Sequence, residues 1–167
     1  MEYWIIYHLE TGEPLIRGSG SAGAAALQQL PDGAGIVVVP QKVVAQPELD
    51  LVALRVAMAA RVDQEAEALR MRYLTPGAGQ AMTYTRKEAE ARAWTVDSTA
   101  ATPFLSAEAT ARGISLAQLA PEVIAQADAW VPLGAAIEAV RMGTKAAIMR
   151  AGSLGEIVAA ASRSWPA

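Results

Sequence analysis

The chain has 167 residues, of which 53% are apolar and 19% charged, a balance that indicates a folded protein and excludes a disordered one. The formal net charge of −3 argues against a nucleic-acid-binding surface, which would be strongly basic. The absence of cysteine excludes disulfides, a thiolate nucleophile and a zinc-thiolate site. No apolar run approaches the ~20 residues of a membrane span. We therefore expect a soluble protein, made in the cytosol, without nucleic-acid or membrane partners.

The apolar fraction depends on alanine, because the chain contains only one Phe, four Trp and four Tyr. Small side chains allow close helix packing but give thin cores. We therefore expect that contacts with other protein chains supply part of the burial.

The N-terminal segment predicts three strands and a short helix. Residues 3–9 are almost all aromatic or β-branched, residues 11–14 break the run, and residues 15–18 form the return strand, as is typical of a β-hairpin. A glycine-serine turn over residues 18–21, a short helix over 22–30 with Ser21 as its N-cap, and a second turn precede a third strand at 36–39. Residues 1–46 are thus predicted to form a small β-rich N-terminal domain.

The remainder, residues 47–167, predicts a helical domain. After a linker over residues 41–47, Asp50 caps a helix over 51–69 whose apolar positions follow helical spacing. Its seven-residue repeat fails after about two turns, which favours an amphipathic helix over a parallel coiled coil. A Pro76-Gly77 turn leads to a helix over 80–94, and so short a connection predicts that the two helices pack antiparallel.

Four further helical segments complete the pattern. Thr102 is a candidate N-cap for residues 103–112, and Ser115 for residues 116–130; residues 133–149 then follow with helical spacing. Pro121 and Pro132 are each expected to kink or restart the helix, and Gly152-Ser153 precedes a last helix over 154–161. The predicted fold class is α+β: a small N-terminal β-rich unit of three strands and a short helix, followed by an all-α helical-hairpin or bundle domain.

Residues suited to chemistry do not form a recognisable set. His8 is the only histidine, so neither a metal site with several ligands nor a catalytic triad can be built around it with cysteine also absent. In each of the pairs Glu65/Glu67 and Glu88/Glu90, the two glutamates lie on different helix faces, so they cannot act together as a general acid and base. They are expected to be solvated. The glycine-rich stretches lack the lysine of phosphate-binding loops. We therefore predict no catalytic, cofactor-binding or metal-binding residues, and no enzymatic activity.

Aromatic and basic residues predict protein contacts instead. Arg70, Arg72, Arg86 and Lys87 flank the Pro-Gly turn, where they form a solvated helix end, pair with Glu88 or Glu90, or meet an acidic partner. Around the same turn, Tyr73, Gln80 and Tyr84 are expected to form a buried polar group that joins the two helices. Trp165, near the chain end, is expected to anchor an interface. The candidate interface residues are Tyr3, Trp4, Tyr73, Tyr84, Arg86 and Trp165.

Two stretches resemble proteins of bacteriophage tail modules. The opening, with its Thr11-Gly12-Glu13 break, Arg17-Gly18 return and Ile36-Val37-Val38-Val39-Pro40 strand, is similar to the small β unit of tail-fibre-associated and tail-fibre-assembly proteins. A second stretch is similar to a helical domain of uncharacterised phage structural proteins. It comprises Tyr73-Leu-Thr-Pro-Gly-Ala-Gly-Gln80, then Tyr84, Lys87, Glu88 and Ala89, and later Trp130, Glu138, Arg141 and Lys145.

This resemblance implies a non-enzymatic structural protein of the virion tail, assembled in the host cytoplasm. Its implied role is a fibre- or baseplate-associated connector or adaptor, with other tail proteins as partners and a homo-oligomeric state that in fibres is often trimeric. The chain has no fibre-like repeat, which argues against a fibre shaft. A tail-fibre assembly chaperone that leaves the finished particle is the alternative, and a small hydrolase or lysis enzyme is the third hypothesis.

Overall fold

The computed structural model describes residues 1–75 and 77–166, and residue 78 by its backbone alone. It contains a small antiparallel sheet at the N-terminus followed by helices, which confirms the predicted α+β class. The strands are β1 (Glu2–His8), β2 (Pro14–Gly20) and β3 (Ala34–Val39). The helices are α1 (Gln41–Val44), α2 (Leu51–Arg70), α3 (Ala78–Val96), α4 (Pro103–Arg112), α5 (Leu116–Arg150) and α6 (Leu154–Ala161).

The sheet has the strand order β2-β1-β3, and both pairings are antiparallel. The central strand is the most apolar because both of its faces are covered. Ile5 and its neighbours of the same parity face the helices, whereas Trp4 and Ile6 pack against the 3₁₀ turn Ala25–Leu27. At Gly18, opposite Trp4, a Cβ atom would lie 2.4 Å from the indole ring. Glycine at this position therefore makes room for the tryptophan.

The chain divides into two compact units, which fall at other positions than the predicted boundary after residue 46. Unit 1 comprises residues 1–67 and 138–167, and unit 2 comprises residues 68–137. The division lies within α2 and within α5, so each of these helices contributes residues to both units. Whether the predicted segments 1–46 and 47–167 fold independently stays a prediction.

The core of unit 1 combines the helix-facing side of the sheet with helical side chains. It is contributed by β1, β3, α1, α2, the end of α5 and α6. The fully buried members at its centre are Ile5, Val43, Leu54, Val62, Ile148 and Ile157. The buried positions of α2 in this core follow the helical spacing of the sequence, in agreement with the predicted amphipathic helix.

Unit 2 has a smaller core built from α3, α4 and the first part of α5. Its buried side chains are Ala91, Leu105, Ala109, Leu119 and Ala120, three of which are alanines. This agrees with the expectation of thin cores. The predicted antiparallel hairpin of 51–69 with 80–94 does not form a core of its own, since α2 supplies the core of unit 1 and α3 that of unit 2. Pro76 of the predicted turn lies outside the described residues.

Several local predictions are wrong. Residues 18–20 belong to β2 rather than to a turn, the predicted helix over 22–30 is only the 3₁₀ turn, and α1 replaces part of the predicted linker. In the segment 22–30, only Ala25 is buried, so a longer helix would have had no apolar face to cover.

The long helix α5 continues through both of its prolines, where a kink or restart was expected. Pro121 and Pro132 are exposed, so the carbonyl that each leaves without a donor can bond to water.

Length and composition alone would let α5 cross a membrane, which corrects the expectation that no segment approaches a span. An 18-residue window has a mean hydropathy of 1.3, and only 6% of it is buried within the chain. Core helices of soluble proteins can be equally apolar, but they are mostly buried, whereas little of this window is buried in the described chain.

Candidate functional site

Unit 2 carries an apolar groove between the first half of α3 and the start of α4. Its volume is about 830 Å³. Met82 and Phe104 contribute its largest apolar surfaces and are 75% and 44% exposed, respectively. The described residues that line it include Ala81, Met82, Thr85, Arg86, Ala89 and Phe104. A shallow apolar groove with one cationic side chain is suited to receiving an apolar side chain or helix of another protein.

Glu90 fixes the geometry of this groove by joining α3 to α4. Its Oε2 accepts hydrogen bonds from the backbone N–H groups of Phe104, at 2.9 Å, and Leu105, at 3.1 Å. These are donors at the start of α4, where Thr102 makes no side-chain cap bond, so Glu90 supplies the cap from another helix. Glu90 is only 3% exposed, which shows that the prediction of a solvated carboxylate is wrong.

Arg86 lies on the groove and pairs with Glu90, as one of the sequence alternatives predicted. The distance from Arg86 Nε to Glu90 Oε1 is 3.3 Å, and the Arg86 side chain is 60% exposed. The guanidinium therefore partly balances a buried carboxylate and leaves its outer surface open to a partner.

A second ion-pair chain braces unit 2. Lys87 Nζ lies 2.6 Å from Glu108 Oε2 on α4, and Arg112 joins Glu108 to Glu122 on α5. Hydrogen bonding from Lys87, followed by that from Arg112, holds the pKa of Glu108 below its usual value despite partial burial. Lys87 also lies 5.2 Å from the centre of the Tyr84 ring, a cation–π distance.

Three predicted interface residues, Tyr73, Tyr84 and Arg86, lie in unit 2 and are exposed to solvent. Tyr73 is 52% exposed, and Tyr84, at 38%, donates its hydroxyl to Thr75 Oγ1 at 2.9 Å. The expectation that Tyr73, Gln80 and Tyr84 form a buried group is therefore wrong. All three side chains are exposed, so their hydroxyl and amide groups can form hydrogen bonds with water instead of with one another.

The other three predicted interface residues lie in unit 1. Trp4 is 5% exposed and packs with Ile6 and Ala25, so it offers almost no surface to another chain. Tyr3 is half-buried against the core. Trp165 also packs on that core, and its indole Nε1 donates to Glu65 Oε2 at 3.1 Å.

Glu65 holds the C-terminal segment onto α2. Arg163 Nη2 lies 2.6 Å from Glu65 Oε2, and its guanidinium lies 4.7 Å from the Trp165 ring. Burial opposes ionisation of Glu65, but hydrogen bonds from Arg61 and Trp165 outweigh it, and the pKa of Glu65 is lowered. The prediction that Glu65 is simply solvated is therefore wrong, because the end of the chain folds back over it.

Two residues of the second phage-like stretch meet in unit 1. Arg141 Nη1 and Lys145 Nζ both contact the carboxylate of Asp63 on α2, at 2.6 and 2.7 Å. Hydrogen bonds from Lys145 and then Arg141 hold the pKa of Asp63 below its usual value. Glu138 extends the cluster through Arg141. These charges therefore connect α2 with α5.

The remaining candidates for chemistry do not converge in the described residues. His8 Nδ1 accepts a hydrogen bond from the backbone N–H of Thr11 at 3.3 Å, a role within the hairpin. No group of three or more metal-ligating side chains occurs in the part of the chain that the structure describes.

No protein-family model, curated protein or solved structure matches this chain. The phage resemblance therefore stays a prediction. Arg86 was predicted from the sequence as a candidate interface residue, whereas Met82, Phe104 and the capping role of Glu90 were not. A signal for Phe104 was present, because it is the only phenylalanine and follows a proline at the first turn of a predicted helix.

Proposed function

We propose that this chain is a non-enzymatic protein that joins other protein chains through the apolar groove of unit 2. The groove is the observation that supports this proposal, because its Met82 and Phe104 side chains are exposed to water. The helices that bear them are joined by the Glu90 cap and by the Lys87–Glu108 ion pair. Apolar surface contributes about 25 cal/mol per Å² when it is removed from water, so an apolar partner side chain would bind there favourably. The exposed guanidinium of Arg86 favours a partner with a carboxylate beside its apolar residue.

The setting that the sequence resemblance supports is a bacteriophage tail. In that setting the chain is a fibre- or baseplate-associated connector or adaptor in the virion, assembled in the host cytoplasm and bound to other tail proteins. Tail-gene neighbours on the genome of origin would support this setting. A tail-fibre assembly chaperone would use the same groove and leave before the particle is complete.

Mass spectrometry of purified particles tests the proposal. Recovery of the chain in fixed ratio to other tail proteins supports the connector, whereas its absence from particles that need it for assembly supports the chaperone. A chain dispensable for assembly and absent from particles contradicts both.

A pair of variants tests the groove itself. Met82→Lys places a charge in the groove, while Val96→Lys places one at the end of the same helix, where Val96 is 90% exposed and does not line the groove. We expect Met82→Lys to reduce capture of tail proteins by the purified chain, and Val96→Lys to bind like the wild type. Equal binding by both variants would show that the groove is not the contact.

A further inference from the structure

The outer edge of β3 has backbone groups that the fold leaves unused. Leu9 N donates to Gly33 O at 2.8 Å, which fixes the alternation of the β1–β3 ladder. Along the register from there, Gly35, Val37 and Val39 form the hydrogen-bonded pairs with β1. The N–H and C=O groups of Ile36 and Val38 must then point away from β1. In the described chain these groups make no hydrogen bond on that side.

The side chains of β3 do nothing to protect this edge. From Ile36 to Val39 the strand is entirely β-branched, without charge, proline or bulge, and Val38 is 47% exposed. Proteins normally block such an edge with lysine, proline or a bulge, because it templates the addition of another strand. A groove of about 640 Å³ borders the end of the strand at Val38 and Val39.

The opposite edge of the same sheet has the usual protection. Strand β2 begins with Pro14, carries Arg17, and contains two glycines, and its pairing with β1 is bulged between Ile6 and Tyr7. Arg17 also reaches across to the backbone carbonyls of Gln46 and Pro47. The difference between the two edges leaves β3, and not β2, suited to pairing with another strand.

We propose that β3 pairs with β3 of a second copy of this chain in an antiparallel arrangement, with Val37 on the two-fold axis. Ile36 of each copy then exchanges both backbone hydrogen bonds with Val38 of the other. The four hydrogen bonds satisfy all the free groups of these two residues. The N–H of Ala34, which points the same way, already donates to Pro31 O at 3.1 Å and needs no partner.

A second copy fits this edge because a two-fold interface requires a self-complementary surface. The same two residues supply equal numbers of donors and acceptors, and their β-branched side chains form two Ile–Val cross-strand pairs. The resulting six-stranded sheet is a dimer, which differs from the trimers that the phage resemblance implies. This inference does not depend on the groove of unit 2 or on a tail location.

Replacing Val38 with proline tests the pairing. Val38→Pro removes an N–H that the monomer does not use, and proline is tolerated on an edge strand in that position. Val38→Thr is the matched control, since it keeps the N–H and the β-branched shape. Sedimentation equilibrium should show a dimer for the wild type and Val38→Thr, and an at least about tenfold larger dissociation constant for Val38→Pro. Circular dichroism checks that each variant is folded.

The register is tested separately by cross-linking, because the chain has no cysteine of its own. Ile36→Cys and Val38→Cys, mixed and mildly oxidised, should form a disulfide-linked dimer, because paired Cα atoms lie about 5.5 Å apart. Each variant alone should cross-link poorly, and so should a mixture of Leu15→Cys and Ser19→Cys on the β2 edge.

A wild type that is monomeric at all concentrations, a trimer, or a dimer unaffected by Val38→Pro would overturn the proposal. If the chain forms this dimer but is absent from virions, the β3 pairing is supported and the location in the virion tail is refuted.

Discussion

At the scale of single residues, Glu90 is the side chain on which the start of α4 depends. Glu90→Ala removes the acceptor of the buried N–H of Leu105 and of the partly buried N–H of Phe104, so we expect the free energy of unfolding to fall by about 1–3 kcal/mol. Glu90→Gln retains an acceptor oxygen and should lose less. The control Glu88→Ala, whose glutamate is 35% exposed, should change it by no more than about 0.5 kcal/mol. Urea unfolding measures all three; equal losses for Glu90→Ala and Glu88→Ala would contradict the capping role.

Asp63 should make the stability of unit 1 depend on pH. Its pKa is lowered in the folded state, so its ionised form stabilises the fold above the unfolded value near 3.8. That contribution is lost as the pH falls through the folded-state pKa. Asp63 is 43% exposed, so we expect a contribution below about 1 kcal/mol. Thermal unfolding between about pH 5 and pH 2 should show a shallower pH dependence for Asp63→Asn and for Lys145→Gln. An unchanged slope in both variants would contradict this assignment.

At the scale of elements, the C-terminal segment after α6 behaves as part of unit 1. Trp165 packs on the core and bonds to Glu65, so Trp165→Ala should lower the free energy of unfolding by about 2 kcal/mol. Trp165→Phe keeps the ring but loses the N–H donor and should cost about 1 kcal/mol. Neither change should alter the oligomeric state. Urea unfolding and light scattering check both expectations, and dissociation of an oligomer by Trp165→Ala would instead support the interface role predicted from sequence.

The elements that sequence predicted best are those whose ends carry their own signals. Asp50 Oδ1 accepts from Ala53 N at 2.8 Å, as predicted for the N-cap of α2. At the start of α6, where the sequence predicted only a break, Ser153 and Glu156 form a capping box from neighbouring residues. Neighbouring residues did not predict a helix cap where the capping side chain comes from another part of the chain. The cap of α4 comes from Glu90 on another helix, so Thr102, although correctly placed, does not perform it.

At the scale of the whole molecule, the pairings that define unit 1 join residues far apart in sequence. Asp63 and Lys145 are separated by 82 positions, and Glu65 and Trp165 by 100. The periodicity of apolar residues indicates which side chains are buried but not which helix covers them. It therefore predicted the helices but not the division of the chain into units 1 and 2. The groove of unit 2 was missed for the same reason, since Met82 and Phe104 lie on different helices.

The shared core of unit 1 leads to a prediction that differs from the one made from sequence. A domain boundary after residue 46 would leave residues 47–167 folded when residues 1–44 are removed. In the structure, however, Ile5 packs in one core with α2, the end of α5 and α6. Ile5 is fully buried, so Ile5→Ala should lower the free energy of unfolding by about 2–5 kcal/mol. The loss should be confined to unit 1, because no residue of its core belongs to the described core of unit 2.

Hydrogen exchange followed by mass spectrometry measures this directly. In Ile5→Ala, peptides from residues 51–67 and 138–161 should exchange faster, while those from 85–120 keep wild-type protection. The matched change Leu105→Ala, in the core of unit 2, should give the opposite pattern. Removal of residues 1–44 should resemble Ile5→Ala and lower the helical signal in circular dichroism. Uniformly faster exchange in both point variants would show that the chain unfolds as one body, and an unchanged helical signal after truncation would restore the boundary at residue 46.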